Sequence, residues 1–255
     1  MPDLVMYILG GLSAGLLGGY LGLGGGIVMV PFLTVVAGLD FKAAVPVSVT
    51  AIVFNSFASS NEYLKRGMVD LELVVILAIF MVMGNITGSN LSQVVPAEFS
   101  RLVFTVLLVY TAFSLLKGRK TTERLAFSDN RKKFFTICVF LAFFTGIMAG
   151  LLGVGGGVIL VPVLYLVIGL PLTTARGTSA LMIGFSAAAS STVYFLNDSI
   201  DYSVVAPVIL GIIIGGKLGG FLGTLAKPVV VKVLFFVVML YLAFKLGYDP
   251  LMEML

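Results

Sequence analysis

The sequence predicts an all-α polytopic membrane protein built from two inverted-topology repeats, with interrupted or re-entrant helices at two glycine-rich motifs and about 8–10 membrane segments in all. Three observations predict it. The 255 residues are 59% hydrophobic and 11% charged, with a mean hydropathy of +1.13, where soluble chains run at about 45–50% apolar and about 25% charged. One hydrophilic stretch divides the apolar segments into five and five. Finally, "YLGLGGGIVMVPFL" at residues 20–33 returns as "LLGVGGGVILVPVL" at residues 151–164.

Composition sets the solvent. Sixteen basic and twelve acidic residues cannot coat a soluble domain of this length, so most of the surface is expected to face lipid. Met1-Pro2-Asp3 lacks the basic region of a cleavable signal, and the first apolar run is therefore read as a retained span. The single cysteine, Cys138, excludes an intrachain disulfide and multi-cysteine metal sites, and reads as a small packing residue. The absence of histidine removes the commonest metal ligand, the usual catalytic base and the usual proton relay near neutral pH.

Along the chain, apolar stretches fall at 4–22, 26–39, 44–61, 71–95 and 100–116, then at 134–152, 157–170, 175–196, 202–225 and 229–246. The break between the two sets, residues 117–133, carries seven Lys/Arg against two acids. It divides the chain into an N-terminal transmembrane repeat (1–116), a basic linker (117–133) and a C-terminal transmembrane repeat (134–255). A shift of 131 positions matches twelve of the twenty-two residues from 18 to 39. It also pairs Gly38 with Gly169, Ser48 with Ser179, Ser59 and Ser60 with Ser190 and Ser191, Tyr63 with Tyr194, and Asp70 with Asp201. Ordered pairs of glycine, serine and aspartate rarely arise by chance, and such duplication is common in secondary transporters.

The orientation of the repeats follows from length. As one helix, residues 4–39 would reach about 54 Å, too long for a hydrocarbon core of about 30 Å. The chain must turn at Gly24–Gly26, and the arm 26–39 would reach only about 21 Å, so it can enter and leave without crossing. Five crossings, or three plus a re-entrant hairpin, are both odd numbers, and an odd number inverts the second half. With the linker on the cytoplasmic side, alternation puts twelve Lys/Arg inside and three (Lys42, Arg101, Lys245) outside, as the positive-inside rule requires. Lys65, Arg66, Arg176, Lys227 and Lys232 then face the cytoplasm, and both termini lie outside.

Candidate functional residues come next. Gly24, Gly25 and Gly26, with Gly155, Gly156 and Gly157, either let helices approach closely or interrupt them and aim N–H groups into a cavity. Recurrence in both halves favours a central transport site, and helix N-termini and glycine nests favour anions. Pro31 and Pro162 read as structural kinks or stops. Ser48, Asn55, Thr178 and Ser179 lie on polar faces of the third and eighth spans, where they would hydrogen-bond a ligand or a neighbouring helix. Lys217, inside "GGKLGG", needs a counter-charge, a water-lined site or an interface to snorkel to. Arg176 would either bind an oxyanion bidentately or anchor the interface. The acids lie near termini, turns and span ends, with Glu62 and Asp40 nearest to membrane depth, and read as solvated charges or proton relays at a cavity mouth.

Enzymatic readings fail on the residues, and the chain is expected not to be an enzyme. Neither glycine cluster completes a phosphate-binding loop or G-x-G-x-x-G, since Ile27 and Val158 stand at the last glycine position. An intramembrane serine protease of rhomboid type would need a Ser–His pair. The basic linker beside a membrane sets orientation or touches anionic lipid, and no nucleic-acid partner is expected.

The paired "GLGGGIVMVPFL" and "GVGGGVILVPVL" segments, with "ARGTSA" and "YLKRGMVD", resemble the TauE/SafE family of sulfite-exporter-like permeases over roughly residues 8–246. The match rests on Gly22, Gly24–Gly26 and Pro31, on Gly153, Gly155–Gly157 and Pro162, and on Thr178 and Ser179. The first half has Val47-Ser48 in place of Thr178-Ser179, and Lys217 corresponds to Ile86, so the halves are not equivalent in polar groups. The resemblance implies an inner-membrane permease exporting small sulfur-containing anions such as sulfite, sulfoacetate or a related organosulfonate. The expected mechanism is alternating access around a midplane site, with a gated anion channel or a non-transporting assembly or sensor protein as the alternatives. No cofactor or metal is expected. The expected partners are the small anion, membrane lipid and protons as a candidate coupling ion, and a homo-oligomer is compatible with the sequence.

Overall fold

A computed structural model describes residues 2–116 and 131–225, together with Phe236, Leu240, Tyr241 and Phe244. The linker 117–133 lies outside the described residues except for the first three residues of the helix that follows it, and Lys227, Lys232 and Lys245 lie outside them too. The apolar stretch 229–246 is described at only those four positions.

All described elements are helical. The first half comprises α1 (Pro2–Leu21), α2 (Gly26–Pro31), α3 (Phe41–Leu64), α4 (Leu71–Val94) and α5 (Ala97–Leu116). The second comprises α6 (Arg131–Leu152), α7 (Gly157–Leu166), α8 (Leu172–Leu196) and α9 (Tyr202–Leu225). Among the described residues, five segments are long and apolar enough to cross a membrane: Leu4–Leu21, Phe41–Leu64, Leu71–Val94, Leu172–Leu196 and Tyr202–Leu225. The apolar segment Gly26–Val36 is shorter. At 1.5 Å per residue it reaches about 16 Å, roughly half the hydrocarbon core.

The helix breaks fall at the two glycine clusters. Gly22, Gly24 and Gly25 have φ of 69°, 83° and 91°, and Gly153, Gly155 and Gly156 have φ of 72°, 78° and 74°. An L-residue meets its own carbonyl in this left-handed region, so glycine is the residue that can end α1 and α6 here without strain. The two prolines act differently. Pro31 ends α2 in a wider turn, Phe32–Val36, where the Ala37 N–H donates to the Phe32 carbonyl, whereas Pro162 sits within the continuous α7.

The halves are tied together through exchanged partners. The most extensive helix pairs are α1 with α9 and α4 with α6, and both are built on glycine. A methyl added at Gly11, Gly15 or Gly19 of α1 would run into the carbonyl oxygen of Val208, Ile212 or Gly216, and one at Gly211, Gly215 or Gly219 of α9 into that of Ile8, Leu12 or Leu16. Gly84 and Gly88 of α4 meet the carbonyls of Phe143 and Ile147 in the same way, and Gly146 and Gly150 of α6 meet those of Met81 and Asn85. Lipid offers no hydrophobic gain to helix association, so small residues every fourth position, which bring backbones into van der Waals contact, supply the attraction instead. The 131-residue shift carries Gly15 and Gly19 onto Gly146 and Gly150, and Gly84 and Gly88 onto Gly215 and Gly219.

Candidate functional site

The two glycine loops meet in the centre of the bundle. Positions 22–26 and 153–157 are all buried, and the loops touch backbone to backbone: a Cβ on Gly157 would lie 2.5 Å from Leu23 Cα and 2.7 Å from the Gly22 oxygen. Each loop is held by a serine of the opposite half. Ser48 Oγ of α3 donates to the Gly153 carbonyl at 2.8 Å, and Ser179 Oγ of α8 donates to the Gly22 carbonyl at 3.0 Å. The tyrosines bond one turn earlier on α1 and α6, each within its own half. Tyr63 Oη donates to the Gly19 and Tyr20 carbonyls, both at 3.2 Å, and Tyr194 Oη to the Gly150 carbonyl at 2.7 Å.

Ile52 and Ile183, also 131 residues apart, fill the space between the loops. Both are fully buried, and their γ-methyls lie against Gly24 and Gly155 alike. This conformation is therefore closed at its centre by two apolar side chains.

Asn55 bridges a loop to α9. Its Nδ2 donates to the Gly24 carbonyl at 2.8 Å, and Gly216 leaves room for its Oδ1, which has no partner although fully buried. Ser56 Oγ beside it is also unpartnered. At the equivalent contact the amide comes from the other helix of the pair: Asn85 of α4, at the position that Gly216 holds in α9, accepts from Ser190 Oγ of α8 at 2.9 Å.

Arg176 stands in the second turn of α8, 3% exposed. Its own backbone packs on Gly22, so the side chain starts at the edge of the first glycine loop. The guanidinium carbon lies 5.5 Å from the centroid of the Tyr20 ring, and its ionisable neighbours are the phenols of Tyr63 and Tyr20. Among the described residues it forms no ion pair. The carboxylates at this end are engaged elsewhere: Glu62 pairs with Lys65 at 3.1 Å, and Asp70 Oδ1 accepts the Leu73 N–H that opens α4. The Tyr20 hydroxyl is buried without a partner.

The structure thus brings Gly24–Gly26, Gly155–Gly157, Ser48, Asn55 and Ser179 together, with Arg176 at one edge. Thr178 faces away from the loops, its Oγ1 accepting the Asp70 N–H at 2.9 Å. Lys217 is not brought to them either. It lies on the exposed side of α9 with Ile213, Ile214 and Leu218, while Gly215, Gly216 and Gly219 form the packed side. That position departs from an interior charge, and snorkelling of the amine along the exposed face is its physical alternative. Tyr20, Ile52 and Ile183 were not singled out from sequence, although the 131-residue shift pairs the two isoleucines.

Comparison with known proteins places the chain in a family. The family model described as Sulfite exporter TauE/SafE matches residues 7–246. A probable membrane transporter protein of Xylella fastidiosa (strain Temecula1) is 29% identical over 205 residues, covering 79% of this chain and 76% of the relative. Probable membrane transporter protein YunE of Bacillus subtilis (strain 168) is 27% identical over 229 residues, covering 81% of this chain and 84% of the relative. Sulfite exporter TauE/SafE family protein 5 of Arabidopsis thaliana is 30% identical over 99 residues, covering 38% of this chain and 22% of the relative. No solved structure matches the chain.

Proposed function

The chain belongs to the sulfite exporter TauE/SafE family of multi-pass membrane transporters, and from that premise we propose that it exports a small sulfur-containing anion, such as sulfite, sulfoacetate or a related organosulfonate, by alternating access. The observation that carries the anion is Arg176. A guanidinium buried without a carboxylate costs several kcal/mol of lost hydration, and a transported anion is the group that offsets this cost when it arrives. The central contact of the glycine loops supports alternating access, because a carrier needs a state in which neither side reaches the other. The two loops, with Ser48, Asn55 and Ser179, form the moving closure; Arg176 supplies charge, and Thr178 braces the turn above it.

In this reading the protein sits in the cytoplasmic membrane with the 117–133 linker inside, the two halves are inverted repeats, and Lys65, Arg66 and Arg176 draw anions from the cytoplasmic face. Protons are the proposed coupling ion, with lipid as the surrounding partner. The test is efflux from proteoliposomes loaded with sulfite, sulfoacetate, thiosulfate or sulfate under an imposed pH gradient. Saturable efflux of one anion, accelerated by the gradient, is expected. Flux that rises without saturation would make the protein a channel, and no flux of any anion would leave the glycine loops as packing elements.

A further inference from the structure

Resting on the anion-carrier reading, we propose that the chain holds its anion at a single subsite formed by Arg176 of α8 and Tyr20 of α1, which the internal duplication does not repeat. The Arg176 guanidinium lies over the face of the Tyr20 ring, its carbon 5.5 Å from the ring centroid. Arg176 is 3% exposed and Tyr20 2%; the first makes no hydrogen bond or ion pair among the described residues, and the second has an unpartnered hydroxyl. Two other hydroxyls beside them, those of Tyr63 and Thr178, are occupied. The Tyr63 hydroxyl donates to two backbone carbonyls, and the Thr178 hydroxyl receives the Asp70 N–H. The two open groups therefore offer a planar fork of cationic donors and one O–H donor, a set that suits a small oxyanion presenting two or more oxygens from one centre.

The duplication shows that this charge is an addition to the scaffold. Under the 131-residue shift Gly22, Ser48 and Tyr63 find Gly153, Ser179 and Tyr194, and each serine and tyrosine shares one bond to a matching carbonyl with its counterpart. Arg176 and Tyr20, however, fall on Val45 and Leu151. Val45 packs against Gly153 as Arg176 packs against Gly22, so the backbone cradle exists twice and is polar once. Val45 and Leu151 offer a second anion no donor, which sets the stoichiometry at one per chain. It also makes the two cradles unequal: the one under the 65–70 turn, where Met68 and Tyr63 pack on Gly177, carries a cation, and its counterpart at Val45 does not.

The test is calorimetric titration of the purified full-length chain in detergent with sulfite, sulfoacetate and sulfate, with chloride as the control. One oxyanion is expected to bind at one per chain. Y20F is expected to weaken it about tenfold, the loss of one hydrogen bond, and R176K more, because an ammonium cannot form the fork; R176M is expected to abolish it. Y20F and R176K keep ring and charge, so they remain informative if R176M fails to fold. Binding at two per chain, or folded Y20F and R176K variants that bind as the wild type does, would overturn the subsite while leaving the carrier reading intact. A wild-type chain that binds none of the oxyanions would overturn both.

Discussion

Ser48 reaches across the molecule, 105 residues along the chain, to give its hydroxyl proton to the carbonyl of Gly153 at 2.8 Å. The contact closes one glycine loop onto the opposite half, and Ser179 closes the other onto Gly22. Removing either hydroxyl strands a buried carbonyl, which costs about 1–3 kcal/mol. Ser48→Ala and Ser179→Ala should each lower the midpoint of thermal unfolding in detergent, by comparable amounts because their environments are duplicated. Unchanged midpoints in both would mean that these carbonyls find other donors.

Ile52 and Ile183 make a different prediction, since they fill space without bonding. Trimming a buried isoleucine to alanine costs about 2–5 kcal/mol, depending on how far the surroundings collapse. Here the surroundings are two glycine loops held by their serines, which resist collapse, so a void opens at the centre of the bundle. The Ile52→Ala/Ile183→Ala pair should leak small anions from proteoliposomes in the absence of any gradient, while Ile52→Val stays tight. A tight double alanine variant would place the closure elsewhere.

How much of this was legible in the sequence depends on the kind of signal. The helix breaks could be read because glycines interrupt apolar runs too long for the membrane, and the duplication could be read because glycine, proline and serine pairs recur in order. The side chain directions could not. From Ile213 onward the exposed side of α9 is Ile, Leu and Phe beside Lys217, and the packed side is glycine, so hydrophobicity does not mark the inner face as it would in water; the spacing of small residues marks it. That reversal is why Lys217, set among glycines in the sequence, emerges on the outer face. Tyr20 was hidden for a related reason, because a phenol on an apolar helix gives no sign of its hydroxyl's partners until α8 is packed beside it. Lys217→Met should accordingly leave anion binding within about twofold of wild type, a titration whose failure would return the lysine to the site.

The turn before α9 should respond to acid. Asp201 Oδ1 accepts from the Ser203 hydroxyl at 2.6 Å and from the Ser203 N–H at 2.9 Å, and these bonds, the hydroxyl first, hold its carboxyl below the usual carboxylate range. A depressed folded value means that the carboxylate stabilises the fold above the unfolded pKa of about 3.9 and stops doing so as pH falls through the folded value. Asp201 is exposed, so the effect is small. Melting scans from pH 6 to about pH 3 should show a decline in wild type that is shallower in Asp201→Asn; parallel slopes would remove this cap from the acid response.

Three left-handed glycines should rank by what surrounds them. Alanine at any of them incurs the left-handed backbone cost of about 1–2 kcal/mol. At Gly38, φ 71°, a Cβ meets nothing within 4 Å, so that cost stands alone. At Gly156, φ 74°, the Cβ would lie 2.7 Å from the Met81 methyl and 2.9 Å from a Thr145 methyl. Methionine is flexible and can yield, while the stiffer threonine must shift slightly, so the site adds a side-chain cost but no backbone clash. At Gly25, φ 91°, it would lie 2.9 Å from the Ala14 carbonyl oxygen and 3.0 Å from Asn55 Nδ2. The first is backbone of α1 and the second is held by its bond to Gly24, so neither yields easily and overpacking adds about 1–3 kcal/mol. Unfolding midpoints should therefore fall in the order Gly38→Ala least, Gly156→Ala next and Gly25→Ala most. Equal losses would show that the backbone conformation, and not the packing of the loops, sets the requirement for glycine.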